Sequence, residues 1–395
     1  MECETPVSPT KRNKVAHLRR TYLLKREPFI GYQVTSHVEF ESIVLCKQKD
    51  TSGGYANVPI HCSDEALDGF QKKVSDVLYQ RFRILSTWEF KYLEDVIRRE
   101  KPDILHCHYL PDARFFLKLK RTAKIPLVVS AYGYDTSEFH RRLLGYGKRY
   151  LAPVVREADL VLAMSPDMER DLRQLGCPPE KIRVHYYGVE TSEFAWPERS
   201  YERSGIITLL MVAGLDEYKG HIYFLQALAE LLRRLPATQF RARLAGEGPL
   251  ENELKAYVRK SGLDSVVEFV GFVPRANGAI LQEFREADVL VMPSVTQKNG
   301  LKEGIPGALV EAMASGLPCI GTRHAGIPFV LSDEETGLLV DERDVSGLVK
   351  ALERLMTDAD LRRRLGSAAA RKAASEFNRR QKIRDLEAIY LSLLG

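Results

Sequence analysis

The chain has 395 residues, more than one ordinary hydrophobic core supports, and its length fits two α/β domains of nearly 200 residues each. Its 45% hydrophobic and 28% charged residues exclude collagen-like and wholly disordered classes. The net charge of +5 sits in the first half, where residues 1–200 hold 32 Lys and Arg against 27 Asp and Glu, while residues 201–395 balance at 26 each.

Both halves alternate strand and helix patterns, the signature of parallel sheets covered on two faces. In the first half, Lys14–Leu18 and Ser42–Lys47 predict strands and Lys72–Arg98 a helical stretch. Strands follow at Asp103–His106, Pro126–Ala131, Leu160–Met164 and Ile182–His185, separated by helices over Pro111–Arg121, Arg141–Glu157 and Pro166–Leu175. Periodicity stops around residues 193–205, a polar stretch with Pro197 and Gly205 that predicts the interdomain linker. A second series follows, with strands over Ile207–Ala213, Phe240–Ala245, Val267–Val270, Val289–Met292, Pro318–Gly321 and Gly337–Val340. Its helices are Gly220–Leu235, Pro249–Ser261, Asn277–Ala287 and Pro306–Ser315. Helical patterns over Val345–Met356, Ala359–Ala374 and Arg379–Leu394 close the chain.

Four segments at predicted strand ends carry chemistry. In Pro293–Pro318 a strand enters a Gly-containing loop, and a helix starts at Pro306, whose unpaired N–H groups and dipole attract a phosphate or a sugar hydroxyl. Glu303 in that loop and Glu311 eight residues on are acceptor-only carboxylates suited to two sets of vicinal hydroxyls. The same pattern also fits surface glutamates beside a capped helix. In VAGLDEYKG, Lys219 stands just ahead of a helix, where an ammonium is disfavoured unless an anion lies between them. LAGEGP, with Glu247, and FVGFVP, with Val273, complete the set. The carboxyl edge of an open α/β sheet is where ligands bind.

In this order the segments resemble the retaining glycosyltransferases of the GT-B fold, specifically glycosyltransferase family four, and EGIPGALVEAMASGLP resembles members that build bacterial exopolysaccharide or lipid-linked glycans. The resemblance extends over Asp103–His108, Val161–Glu190 and the closing helices. It implies two Rossmann-like domains facing a cleft, with the last helix crossing back to the first. The boundaries are 1–195 plus 379–395 for acceptor binding and 204–378 for donor binding.

Carried over, Glu303 contacts the donor sugar hydroxyls and Glu311 the ribose. Lys219 and the backbone N–H groups of Gly304, Ile305, Pro306, Gly307, Ala308 and Leu309 (Pro306 itself has no N–H) surround the sugar and diphosphate, Glu247 joins the donor side, and the backbone near Val273 meets the base. The family carries Gly-Arg where Ala213-Gly214 stands and His-Gly where Tyr132-Gly133 stands, so Tyr132 takes the place of a catalytic histidine. His108 is the member of His106-Cys107-His108 expected to face the active site.

The implied activity is retaining transfer from a nucleoside-diphosphate sugar, uridine and guanosine donors undistinguished, to a glycan, lipid-linked or small-glycoside hydroxyl. The mechanism is front-face, and no metal or cofactor is expected. Asp358-Ala-Asp360 reads as a helix start capped by Asp360 rather than a metal motif. A sugar-nucleotide epimerase, a hydrolase using Glu303 and Glu311, and a non-catalytic nucleotide-sugar-binding subunit are the alternatives.

Six cysteines, Cys3, Cys46, Cys62, Cys107, Cys177 and Cys319, form no CxxC pair and suggest reduced thiols in a cytoplasmic protein. Neither a signal peptide nor a membrane-spanning run is legible. No motif accompanies the charge to suggest nucleic acid. Residues 101–150 carry 10 Lys and Arg against 4 Asp and Glu, with Arg141, Arg142, Lys148 and Arg149 among them. Together with Lys11, Arg12, Lys14, Arg19, Arg20, Lys25 and Arg26, they suggest peripheral contact with an anionic membrane surface.

Overall fold

The computed structural model describes residues 12–22, 27–50, 57–139, 146–196, 199–202, 205–234, 239–275 and 278–395, and its strands form two parallel sheets. The first contains β1 (Asn13–Tyr22), β2 (Phe40–Lys49), β3 (Ile60–Cys62), β4 (Ile104–His108), β5 (Leu127–Ser130), β6 (Leu160–Ala163) and β7 (Ile182–Val184), in the order β3-β2-β1-β4-β5-β6-β7. The second contains β8 (Ile207–Val212), β9 (Phe240–Ala245), β10 (Val267–Gly271), β11 (Val289–Met292), β12 (Cys319–Thr322) and β13 (Leu338–Val340), in the order β10-β9-β8-β11-β12-β13. Short strands such as Leu160–Ala163 and Val289–Met292 are buried at every residue, because helices cover both faces of each sheet. In both sheets the order reverses at the first strand, so each has a switch point where a crevice opens beyond the carboxyl ends. This is the α/β, two-Rossmann-domain architecture of a GT-B protein.

The final helix, Arg379–Leu391, lies on the first sheet. Leu386 and Tyr390 are fully buried among Val15, Phe40, Ile104, Val128, Leu160 and Leu162. Glu387 accepts from the N–H groups of Val38 at 2.7 Å and Glu39 at 2.9 Å. The crossing is pinned at its start, where Val189 N–H donates to Phe377 O at 2.9 Å and Arg379 N–H to Val189 O at 2.7 Å. The stretch between the sheets is strapped to the second one. Arg199 donates to the carbonyls of Ala287 and Ser315 at 2.8 and 2.9 Å, and the Tyr201 hydroxyl to Gly316 O at 2.8 Å.

Several local expectations change. The Lys72–Arg98 stretch is two helices, Gly69–Phe82 and Thr87–Glu100. Arg83 ends the first in the left-handed region at φ 56°, and Ser86 opens the second through a capping box with Glu89. Asp358, not Asp360, caps the helix Ala359–Glu376, accepting from Leu361 N–H at 2.8 Å.

Three of the N-terminal cations, Lys14, Arg19 and Arg20, are drawn into ion pairs because β1 extends to Tyr22, whereas Arg12 is exposed. Lys14 meets Glu100 at 3.1 Å, Arg19 meets Glu27 at 2.8 Å and also Asp112, and Arg20 lies 3.9 Å from Asp112. In the 101–150 cluster, Arg121 pairs with Glu157 at 2.7 Å and Lys120 with Asp159 at 3.3 Å. Cys3, Lys11, Lys25, Arg26, Arg141, Arg142, Pro197 and Asn277 lie outside the described residues. Among the described residues, no helix is long and apolar enough to cross a membrane.

Candidate active site

The two carboxyl edges face one another, and the segments singled out from the sequence meet between them. After β8, Leu215 N–H donates to Glu247 O at 3.0 Å, tying the loop that leads to Lys219 to the Gly-Glu-Gly turn after β9. Glu247 itself is exposed. Gly220, at φ 77°, starts the helix His221–Arg234, and a Cβ there would stand 1.9 Å from Pro293 O, so only glycine lets this turn press against the end of β11. That contact carries Lys219 to the Pro293–Pro306 loop, where its Nζ pairs with the Glu303 carboxylate. Burial opposes the Lys219 charge, but Glu303 more than offsets it and holds the ammonium above the ordinary lysine range.

Pro306 is the N-cap of the helix Gly307–Ala314, and no side chain caps its first turn. The helix start therefore keeps N–H groups without a side-chain acceptor at the positive end of its dipole. Leu309 is an exception, since its N–H donates to Pro306 O at 3.0 Å and its side chain is in the core. Gly304, Ile305, Pro306 and Ala308 are buried and Gly307 half-buried.

Glu311, one turn into the helix, is 5% exposed and pairs through Oε1 with Arg275, while its Oε2 has no partner. Burial raises the Glu311 carboxyl above its usual range despite the Arg275 charge. Val273, two residues before Arg275, is half-buried beyond the end of β10. The two carboxylates are therefore each held by one cation, Glu303 by Lys219 and Glu311 by Arg275. At Gly214, where the family arginine would stand, a Cβ would lie 2.9 Å from the Asp216 carboxylate.

The first sheet contributes Tyr132 on the loop after β5. Asp135 shapes that loop by accepting from the N–H groups of Tyr132 at 3.0 Å, Gly133 at 3.1 Å and Leu110 at 3.1 Å. The loop touches the donor side directly. A Cβ on Gly304 would stand 2.8 Å from Tyr132 O, and one on Gly133, at φ 126°, would stand 3.3 Å from Gly304 N. Lys302 clamps the same junction, reaching Asp167 at 2.7 Å and Asp171 at 2.6 Å.

His108 does not face the cleft as expected. It is fully buried beneath Tyr132, with Nδ1 at 2.7 Å from the phenol and Nε2 at 3.0 Å from His17 Nδ1. Register explains this, because His17 on β1 pairs with His106 on β4 and all three imidazoles point to one face of the sheet. His106 spends both ring nitrogens, on Tyr390 and on Ser130. Although ligand atoms of the three rings lie within 4.8 Å of one another, the contacts of His106 and His108 are those of a hydrogen-bonded network.

Four functional candidates were not legible beforehand. Arg275 meets Glu311 across 36 residues. Tyr187 stacks on Phe29 at 4.8 Å and stands beside Gly307, its phenol pushed up to about 12, chiefly by burial. His324 accepts from Glu303 N–H at 3.0 Å, and Glu342 backs it from 2.6 Å. Arg275, Tyr187 and Glu342 carry no local pattern; for His324 the segment RHAGIP is the one visible signal.

Two facing Rossmann-like domains with a carboxylate–cation cleft between them define a GT-B glycosyltransferase. Residues 54–193 match the family model of Glycosyltransferase Family 4, and residues 207–358 match that of Glycosyl transferases group 1. The chain is 33% identical over 293 residues to the colanic acid biosynthesis glycosyltransferase WcaL of Salmonella typhimurium, covering 73% of this chain and 70% of that one. It is 34% identical over 259 residues to the amylovoran biosynthesis glycosyltransferase AmsK of Erwinia amylovora, covering 65% and 62%. Among solved structures, HepE of Anabaena in complex with UDP superposes with a TM-score of 0.77 at 16% identity, covering 96% of this chain and all of that one. The chain belongs to glycosyltransferase family four.

Proposed function

We propose that the protein transfers a sugar from a nucleoside-diphosphate donor to a hydroxyl of a glycan acceptor during assembly of a bacterial exopolysaccharide, retaining the anomeric configuration and using no metal. The observation that carries this reading is the Lys219–Glu303 pair beside the uncapped start of the helix Gly307–Ala314. On donor binding, sugar hydroxyls take the Glu303 carboxylate and the diphosphate takes Lys219 and the helix N–H groups. Ribose hydroxyls meet Glu311, which leaves Arg275 as a second cation for the phosphates in place of the family arginine.

As the bond from the anomeric carbon to the phosphate oxygen breaks, negative charge grows on the leaving diphosphate, where Lys219 and the helix start are already aimed. The acceptor oxygen attacks the same face, and its proton passes to the departing phosphate oxygen. These fixed positive groups supply the stabilisation that a divalent ion supplies elsewhere, which supports the metal-independent reading. The names of WcaL and AmsK point to an exopolysaccharide glycan, lipid-linked or free, as the acceptor class. The UDP in HepE makes uridine donors the first to test.

The test incubates the chain with UDP- and GDP-hexoses and a polyprenyl-diphosphate oligosaccharide, with and without EDTA. Mass spectrometry follows the acceptor, and NMR reads the new anomeric centre. Acceptor-dependent product of retained configuration, insensitive to EDTA, is expected. Inverted product, or conversion of the donor with no acceptor present, would overturn the reading.

A further inference from the structure

The helical pair Gly69–Phe82 and Thr87–Glu100 carries an apolar face that nothing among the described residues covers. Phe70, Val77, Phe82, Ile84 and Trp88 are between 40% and 72% exposed. Monomeric proteins scatter exposed apolar residues singly, and five large ones within 19 positions form a patch. Spacing gives the patch its shape. Phe70, Lys73, Val77 and Arg81 follow one another at three- and four-residue steps, so they form a stripe along the first helix, while Trp88 and Lys91 share a face of the second.

The charge on this face is mainly positive: Asp95, exposed on the same side of the second helix as Trp88 and Lys91, lies 3.7 Å from Arg98. Residues 69–91 hold five cations, Lys72, Lys73, Arg81, Arg83 and Lys91, all exposed. They hold two carboxylates, and both turn inward. Asp76 and Glu89 each lie 3.0 Å from the ammonium of Lys47, which is fully buried. Asp68, just ahead of the segment, is spent on capping Phe70 and Gln71. Pairing with Lys47 thus ties up both carboxylates of residues 69–91 and leaves the exposed apolar side chains among an excess of cations. The patch also stands near the cleft, because Tyr79 of the first helix lies 5.4 Å from the Arg20 guanidinium and 5.9 Å from the Lys47 ammonium, near the carboxyl ends of β1 and β2.

We infer that this helical pair is the surface by which the protein docks on an anionic lipid bilayer, its aromatic and aliphatic side chains entering the headgroup region and its cations meeting the lipid phosphates. The chemistry matches an interfacial amphipathic surface, whose affinity comes from buried apolar area and attraction to anionic lipid together. A polar protein partner would leave the apolar side chains unmatched, and a second copy would set five cations against five. The surface differs from the basic clusters expected from the sequence, in which Lys14, Arg19, Arg20, Lys120 and Arg121 are taken up in ion pairs. The docking proposal does not depend on the transfer reading, so its failure would leave that reading in place.

The experiment uses the full chain and vesicles of phosphatidylcholine alone or with about one third phosphatidylglycerol. Co-sedimentation measures binding, and Trp88 emission, with brominated-lipid quenching, reports insertion. The expected result is binding to the anionic vesicles only, weakened by salt, with a blue shift that Trp88→Phe removes. Each cation held near such a surface is worth about fivefold in affinity, so Lys72→Glu, Lys73→Glu and Arg81→Glu together should reduce binding by more than 100-fold. Phe70→Ser with Phe82→Ser should abolish the quenching; these positions are exposed, and circular dichroism checks that the variants stay folded. Absence of binding at low salt, binding unchanged by the charge reversals, or a dimer that dissociates on Phe82→Ser would overturn the proposal.

Discussion

The backbone N–H of Glu303 donates to Nε2 of the fully buried His324 at 3.0 Å. That bond places the ring proton on Nδ1, which faces Glu342 at 2.6 Å, and Glu342 in turn accepts from Thr296 N–H at 2.9 Å. Burial pushes the Glu342 carboxyl up, but the bonds from Thr296 and His324 outweigh it and hold the group below its usual range. His324 is thus a positioning residue that sets the Glu303 loop from behind.

Its removal should cost turnover more than donor affinity. A carboxylate displaced by about 1 Å can lose ~10²-fold in rate, so His324→Ala should lower kcat by about that factor with a smaller change in KM. His324→Gln, which keeps an acceptor at the same reach, should recover part of it. Steady-state kinetics on the folded variants decide this, and equal losses in the Ala and Gln variants would contradict the positioning role.

The second prediction concerns the junction between the domains. A methyl group on Gly304 would stand 2.8 Å from Tyr132 O, backbone against backbone, with no flexible side chain to yield. Gly304→Ala should hold the two sheets apart, raise the radius of gyration in solution scattering and reduce transfer at least tenfold. Overpacking of this kind costs ~1–3 kcal/mol, so a modest fall in the urea midpoint should accompany it. Wild-type turnover in this variant would show that the contact is not needed.

Stability should fall steeply in mild acid. His17, His106 and His108 are held well below the usual imidazole range, by burial first and by neighbouring imidazoles or cations second. Burial, with Lys382 adding to it, takes His185 to about 4, and burial, with Lys219 adding to it, takes His221 to about 3. Above pH ~7 these rings are neutral folded or unfolded, and they contribute no pH dependence. Below ~6.5 the unfolded chain binds their protons and the folded one does not, so stability drops as pH falls, by ~1.4 kcal/mol per ring per pH unit until each folded value is reached. Urea unfolding between pH 5 and 8 measures the slope, and His185→Asn should remove about one ring's share. A flat profile from pH 7 to 5 would contradict the burial argument.

Much of this molecule can be read from its sequence, and the parts that cannot share a cause. Strand-end loops, the Pro306 helix start and the C-terminal helix are written in local periodicity and in turn residues, while the return of that helix to the first sheet is legible only through the family resemblance. The break at Arg83 is written too, as Ser86 followed three residues on by Glu89, but the apolar pattern runs through it and masks the cap. Register and tertiary contact are not local. Nothing near His17 says that it will lie beside His106, and nothing near Arg275 says that it will meet Glu311. The charge of β1 misleads for the same reason, since Lys14, Arg19 and Arg20 find their partners at residues 100 and 112 and at Glu27.

The central claim is that Lys219 and Glu303 handle the leaving diphosphate and the donor sugar in one step. Single-turnover transfer by Lys219→Ala and Glu303→Ala, each confirmed folded by circular dichroism, tests it most directly. Loss of one preorganised charge-stabilising group costs ~10²–10³ in rate, and each variant should slow acceptor glycosylation by that much at saturating donor. Wild-type rates in both folded variants would contradict the account.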